Sequence, residues 1–242
     1  MSRIKSYYND FYRELSVIDE EANNFNKIKN FLPKLLGHEN FLDIGCGHGG
    51  VCSELIKKGF NVSGIEINDE AINSLQTKGY KTFRRDITKP LNINSKFDII
   101  FILDVLEHLF DPVQLLQEAK NISQKNGYII VTIPLYFDII DRLKILFTGS
   151  IISMDNLCYG KDIYLKFRSY NYDHIRFFRP KDIFEIGERL DLYADKIEFN
   201  STSYLGESRF IKLFFKIIAN KFTVKYSPNL LAHSMKIRWQ VR

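Results

Sequence analysis

The stretch FLDIGCGHGG, Phe41 to Gly50, decides how the first half of the chain is read. Four residues of buried-strand character, Phe41–Ile44, run directly into a glycine turn. The glycines fit G-x-G-x-x-G through Gly45, Gly47 and Gly50, the spacing of a dinucleotide site. They fit G-x-G-x-G equally well through Gly45, Gly47 and Gly49. A dinucleotide turn brings a pyrophosphate to a helix N-terminus, where the helix dipole favours negative charge. Asp43 stands two residues before the first glycine, and a carboxylate there repels a pyrophosphate. It suits a ligand that carries an ammonium and a sulfonium. No Gly-Lys-Ser/Thr follows the turn, which excludes a P-loop.

Outward from the turn, short apolar runs alternate with amphipathic ones. Strands are expected at Phe41–Ile44, Asn61–Ile67, Tyr80–Arg84, Phe97–Leu103 and Gly127–Ile133, and helices at Gly50–Lys58, Asp69–Lys78 and Pro112–Ile122. This alternation predicts a parallel sheet covered on both faces. Past Pro134 the rhythm stops, and residues 135–179 read as a long insertion after the fifth strand, of the kind that binds substrate. A helix at Pro180–Leu190, a strand at Leu192–Phe199, an amphipathic helix at 206–222 and a last strand at Met235–Val241 complete the pattern. The expected fold is α/β, a doubly wound, mostly parallel seven-stranded Rossmann-like sheet with helices on both faces. One domain spans 1–242, with residues 1–38 as an N-terminal helical lid.

Composition limits the function classes. With 45% hydrophobic and 26% charged residues, the chain is an ordinary globular one. Three cysteines without C-x-x-C spacing argue against a disulfide framework or a zinc knuckle. The opening MSRIKSYYNDFYREL is too polar for a signal peptide, and no apolar run reaches the roughly 20 residues of a membrane helix. A soluble cytoplasmic protein is expected. From Ser208 to Arg242 there are eight Lys or Arg and no Asp or Glu, against a net charge of +5 for the whole chain. The excess charge therefore sits at this end, as a solvated basic face or as a surface for an anionic substrate or a phospholipid.

Four motifs in register, FLDIGCGHGG, GIEIN, RRDI and FDIIFILDVLEHL, resemble the class I S-adenosylmethionine-dependent methyltransferases over Phe41 to Pro134. That resemblance implies S-adenosylmethionine as cofactor. The glycine turn, through Asp43, Gly45 and Gly47, would cradle the methionine part. Glu66, with Ile67, would hold the ribose, while Asp86, with Ile87, would read the adenine. Leu103 and Asp104 at the end of the fourth strand complete the implied cofactor set. The segment YDHIRFFRP (172–180) is similar to a D-H-x-x-F-F stretch in bacterial members that methylate sugars or other surface-polymer precursors. The aromatic stretch SYYNDFY would close over the cofactor, as leading helices do in that family.

Methyl transfer from a sulfonium needs alignment above all, and a hydroxyl acceptor gains from a general base. His108 and His174 are the candidate catalytic bases. Tyr136, Arg142, Tyr164 and Tyr170 are candidate lining residues. If a helix starts near Asp104, then Asp104, Glu107 and His108 share one face at i, i+3 and i+4, and with His174 they would make a metal set. The small-RNA 3′-end 2′-O-methyltransferases have a similar E-x-x-E-H with a later histidine. The preferred reading is an N-cap aspartate followed by a packed Glu-His pair, with a divalent cation as the alternative. The expected acceptor is an oxygen of a small polar metabolite, anionic or nucleotide-linked, such as a sugar. A ubiquinone-type O-methyltransferase touching a membrane surface through the 206–222 helix is one alternative, and an RNA 2′-O-methyltransferase another. No nucleic-acid-binding module is evident, and no nucleic-acid partner is expected.

Overall fold

The apolar run FDIIFIL forms strand β4 (Phe97–Leu103), the middle strand of seven. Its alternate residues serve two separate cores, as the two-residue strand period requires. Ile100 and Ile102 enter a cluster with Leu42, Ile44, Ile129 and Val131. Ile99 and Phe101 enter another with Phe41, Val62 and Ile130. The rings of Phe41 and Phe101 stack at 5.9 Å with planes 9° apart. A strand buried on both faces reads as a continuous apolar run, which is why this one was visible in the sequence.

The computed structural model describes residues 25, 28–148, 174–201, 213 and 217–242. The other strands are β1 (Asn40–Ile44), β2 (Asn61–Glu66), β3 (Lys81–Arg84), β5 (Ser123–Pro134), β6 (Leu192–Ser201) and β7 (Ala232–Val241). They lie in the order β3-β2-β1-β4-β5-β7-β6. The first five strands are parallel, and β7 is antiparallel to both β5 and β6. The strand order reverses between β1 and β4, and in open α/β sheets ligands bind beyond the carboxyl ends of the strands at that point.

The helices are α1 (Ser53–Lys57), α2 (Asp69–Thr77), α3 (Pro112–Ile122), α4 (Ile139–Thr148), α5 (Pro180–Arg189), α6 (Lys221–Tyr226) and α7 (Pro228–Leu231). Asn68 caps α2 by accepting from the Ala71 N–H at 2.8 Å, and Asp111 caps α3 by accepting from the Gln114 N–H at 2.9 Å. Pro112 occupies the first turn of α3, where its missing N–H has no helical partner in any case.

Several boundaries differ from the sequence expectation. The helix expected from Gly50 begins at Ser53, because the glycine turn runs further than its spacing suggested. The helix expected near Asp104 is absent. Asp104 takes a positive φ of 53°, and only a single 3₁₀ turn, Leu106–His108, follows. The insertion does contain a helix, α4, and its ends close on each other through a parallel bridge between Leu135 and Phe178. The rest of it, 149–173, lies outside the described residues, as does most of the helix expected over 206–222. That helix does not run through to Phe222: the helical turn at 217–218 ends, and the Asn220 side chain caps α6 by accepting from the Phe222 and Thr223 N–H groups. Of the expected lid over 1–38, Phe25 and residues 28–38 are described. Phe25, Ile28 and Phe31 pack into the core beneath β1 and β4.

Three of the basic residues near the C-terminus are engaged within the sheet. Lys236 on β7 meets Glu198 on β6 at 2.8 Å, Arg238 pairs with Asp195, and the Arg242 guanidinium stands 4.0 Å from the Tyr193 ring centroid. Among the described residues no helix is long and apolar enough to cross a membrane.

Helix α5 presses on β7 through Gly187. A β-carbon there would fall 2.7 Å from Trp239 Nε1 and 3.1 Å from its Cε2, and Trp239 is 1% exposed. Alanine is the better helix former by about 1 kcal/mol, so propensity alone favours Gly187→Ala. Overpacking against the indole outweighs this and costs about 1–3 kcal/mol. Thermal unfolding should show a melting temperature lower by several degrees; a rise would mean that the indole yields.

Candidate functional site

The glycine turn leaves β1 at its carboxyl end. Gly45, Gly47 and Gly49 have φ of 71°, 50° and 79°, the left-handed region that favours glycine, whereas Gly50 is not among the positive-φ residues. The G-x-G-x-G reading therefore describes the backbone. Close approach adds a second reason: a β-carbon on Gly45 would lie 2.9 Å from Val105 Cγ2, and one on Gly49 would lie 2.5 Å from Leu75 Cδ2. The Tyr80 hydroxyl donates to the Gly49 carbonyl, and Lys78 Nζ donates to the His48 carbonyl at 2.9 Å, so two residues from the α2–β3 region hold the turn.

Two buried carboxylates flank this turn. Glu66, at the end of β2, is 5% exposed. Its Oε2 accepts from the Gly47 N–H at 3.0 Å, while its Oε1 accepts from the N–H groups of Ile67 and Asn68 at 2.7 and 3.0 Å. Glutamate, glycine turn and start of α2 are thus one hydrogen-bonded unit. Asp43 has no such set of donors. Burial pushes its carboxyl up to about 7; a hydrogen bond with Cys52 opposes this, and the charge of Glu66 reinforces it. The Cys46 and Cys52 thiols are likewise pushed up by burial.

Asp86 lies in the turn after β3 and accepts from the Thr88 N–H at 3.0 Å and the Thr88 hydroxyl at 2.6 Å. Burial opposes ionisation there, but Thr88 and nearby Lys89 hold the carboxyl below the usual carboxylate range. Ile87 reaches towards the glycine turn, with its Cδ1 3.9 Å from the position of a Gly45 β-carbon. Leu103 packs on the cluster around Phe101. The Asp104 carboxylate accepts from the Thr132 hydroxyl at 2.9 Å, and its N–H donates to the Thr132 carbonyl at 3.0 Å. Asp104 therefore joins the ends of β4 and β5, and it is not on a helical face with Glu107 and His108.

The 3₁₀ turn after β4 and the segment that returns from the insertion build a second cluster. The Glu107 carbonyl accepts from the Ile175 and Arg176 N–H groups at 2.9 and 3.0 Å, which stitches the two segments together. The Arg176 guanidinium donates to the Phe110 carbonyl. His174 Nε2 lies 3.9 Å from Glu107 Oε1, and His108 Nε2 lies 4.0 Å from the same oxygen. The two imidazoles meet edge to face at 4.6 Å. The Tyr136 hydroxyl is hydrogen-bonded to His174 Nδ1. Glu107 is 1% exposed. Beside this cluster stands an aromatic wall, in which the Tyr136 and Phe177 rings are 4.8 Å apart and those of Phe137 and Phe177 are 6.2 Å apart.

The structure thus brings His108, His174 and Glu107 together and leaves Asp104 out. Tyr136 stands against His174. Arg142 does not, since its guanidinium donates to the carbonyls of Phe137 and Asn229. Tyr164 and Tyr170 lie outside the described residues. Sequence reading missed the partnership of Asp43 with Cys52, nine positions later in the chain, and the aromatic wall. The FF in the segment before α5 was the available signal for the wall.

The cofactor side fits S-adenosylmethionine by its donor set. Gly45 and Gly49 have no room for β-carbons, a carboxylate ends β2, and Asp86 and Ile87 stand on the third side. For Asp43 the sign of the pH effect follows from its raised value. Between roughly pH 4 and 7 the folded chain holds a proton that the unfolded chain has released, so stability falls as pH rises through this window. Asp43→Asn removes the ionisation. The variant should gain about 2–4 kcal/mol over the wild type on going from pH 5 to pH 8, read by urea unfolding at both pH values. Equal slopes for the two proteins would show that Asp43 does not titrate there.

A family model described as a methyltransferase domain matches residues 18–196. Over 161 residues the chain is 22% identical to the ubiquinone biosynthesis O-methyltransferase of Shewanella pealeana, covering 63% of each chain. It is 32% identical over 96 residues to the protein of the same name from Colwellia psychrerythraea, covering 36% of this chain and 39% of that one. The chain thus matches less than two thirds of the length of these relatives. A SAM-dependent methyltransferase structure from Archaeoglobus fulgidus superposes with a TM-score of 0.60 at 16% identity, covering 97% of this chain and 98% of that one. The magnesium protoporphyrin IX methyltransferase of Synechocystis, solved with bound SAH, superposes with a TM-score of 0.59 at 15% identity, covering 99% and 98%. The matched family model spans β1 to β5 and continues into β6, with both clusters inside it, and the chain belongs to the methyltransferase domain family.

Proposed function

We propose that the protein transfers a methyl group from S-adenosylmethionine to a hydroxyl oxygen of a small ring-bearing acceptor. The observation that carries this reading is the Tyr136–His174–Glu107 chain, with His108 beside it, beyond the carboxyl end of β4, where Glu107 and His108 follow Val105 by two and three residues and Val105 packs against the glycine turn. When bound, the cofactor supplies a methyl carbon whose bond to sulfur breaks, leaving the electron pair on sulfur, as the bond to the acceptor oxygen forms. The chain's own residues align the two partners and handle the proton. A proton leaving the acceptor hydroxyl passes to an imidazole, and Glu107, about 4 Å from both rings, balances the imidazolium charge. Tyr136 fixes the orientation of the His174 ring.

The aromatic wall selects the acceptor. Phe137 and Phe177 are 37% and 40% exposed, an area available to the face of a ring. An aromatic hydroxyl presents such a face together with a readily lost proton. The curated relatives are named O-methyltransferases, which supports oxygen as the accepting atom. A sugar offers an apolar C–H face to the same wall, so the acceptor panel includes a nucleotide-linked sugar beside catechols and phenols.

His108→Ala and His174→Ala should each lower kcat by about 10²–10⁴, with S-adenosylhomocysteine affinity unchanged by calorimetry. Glu66→Ala should abolish that affinity instead. Transfer to the sugar alone would overturn the aromatic acceptor. Full activity in both histidine variants would overturn the assignment of the base.

A further inference from the structure

We propose that Glu107, His108 and His174 form a divalent-cation site of the two-histidine, one-carboxylate type. One donor atom from each residue lies within 4.8 Å of the others. Both Nε2 atoms face the same oxygen, Glu107 Oε1, at 3.9 and 4.0 Å. A cation equidistant from three atoms so spaced stands roughly 2.5 Å from each, and bonds to nitrogen and oxygen of about 2.0–2.2 Å then need only a few tenths of an ångström of contraction.

Three features make this more than proximity. The donors come from two segments whose backbones are tied, since the Glu107 carbonyl accepts from both the Ile175 and Arg176 N–H groups. The Tyr136 hydroxyl occupies Nδ1 of His174, which leaves Nε2 facing Glu107; this is how an outer partner orients a ligating imidazole. The histidine rings keep 19% and 11% of their side-chain surface exposed, enough for an ion to enter, while the carboxylate is 1% exposed.

The donor set also chooses the metal. Asp104 holds Thr132 and is not a ligand, so two imidazoles and one carboxylate remain. Nitrogen-rich sites of this kind suit Zn²⁺, Mn²⁺, Fe²⁺ or Co²⁺, whereas Mg²⁺ prefers oxygen. Three protein ligands leave coordination positions open. With an ion bound at both Nε2 atoms the imidazoles would be ligands rather than bases, and the cation would acidify the acceptor hydroxyl in their place by Lewis-acid polarisation. That chemical role rests on the acceptor site proposed above; the binding of the ion does not.

The test is a titration of chelator-treated full-length protein with Co²⁺, read by visible absorption, with Zn²⁺ competition and with S-adenosylhomocysteine affinity measured in parallel. One equivalent should bind and be displaced by Zn²⁺. Glu107→Gln, His108→Ala and His174→Ala should each weaken Co²⁺ binding at least tenfold, and Tyr136→Phe by roughly tenfold. His233→Ala, whose Nδ1 meets the Ser201 carbonyl away from this cluster, should bind as the wild type does. Retained S-adenosylhomocysteine affinity identifies the variants that are folded, and Glu107→Gln, the closest in shape, decides if the others are not. Absence of a Co²⁺ spectrum in protein that binds S-adenosylhomocysteine would overturn the metal site and leave the methyltransferase reading intact. Binding that survives in all three ligand variants would place the ion elsewhere and overturn it too. Co²⁺ binding without S-adenosylhomocysteine binding would support the metal site and count against the proposed activity.

Discussion

The side chain of Val105, on the segment leaving β4, fills the space beside Gly45 so closely that no β-carbon fits on that glycine, and the site depends on this approach. Gly45 meets Val105 with no space for a β-carbon, and Glu107 and His108 follow two and three residues later. A displacement of the glycine turn is therefore felt at the histidine cluster through one contact and one turn of backbone. The two halves of the site are fixed relative to each other by the steric limit of a single glycine, at the point where strand order reverses.

The two carboxylates beside the glycine turn show how environment separates chemically similar groups. Glu66 accepts from three backbone N–H groups, which hold it against the turn. Asp43, equally buried and hydrogen-bonded to the Cys52 thiol, is pushed by burial up to about 7. A cationic cofactor entering beside Asp43 restores the advantage of the charged form. The turn is thus electrically tuned for a positive ligand, as the acid before the first glycine suggested.

What the sequence made legible was whatever local spacing encodes. The glycine pattern, the acids that end β2 and follow β3, and the continuous apolar run of β4 all act within a few residues of themselves. Asp104 was misread because its φ of 53° and its bond to Thr132 come from the neighbouring strand, 28 positions away, and no i, i+3, i+4 count carries that information. The meeting of Tyr136 with His174 spans 38 positions and depends on the insertion returning to the sheet where it left. Strand β6 was found despite its half-exposed pattern, because its tyrosine, isoleucine and phenylalanine still favour extended backbone.

The bridge between Leu135 and Phe178 has a meaning for how such a chain diversifies. Because the insertion departs and rejoins at neighbouring positions, a change in its length need not move the strands that flank it. The entropic cost of closing a loop grows only slowly with its length. Residues can be gained or lost between these two anchors while β5, α5 and the glycine turn stay where they are. On the function proposed above, acceptor choice would drift while the cofactor side stays fixed, with Tyr136 and His174 as the fixed doorposts of an exchangeable room.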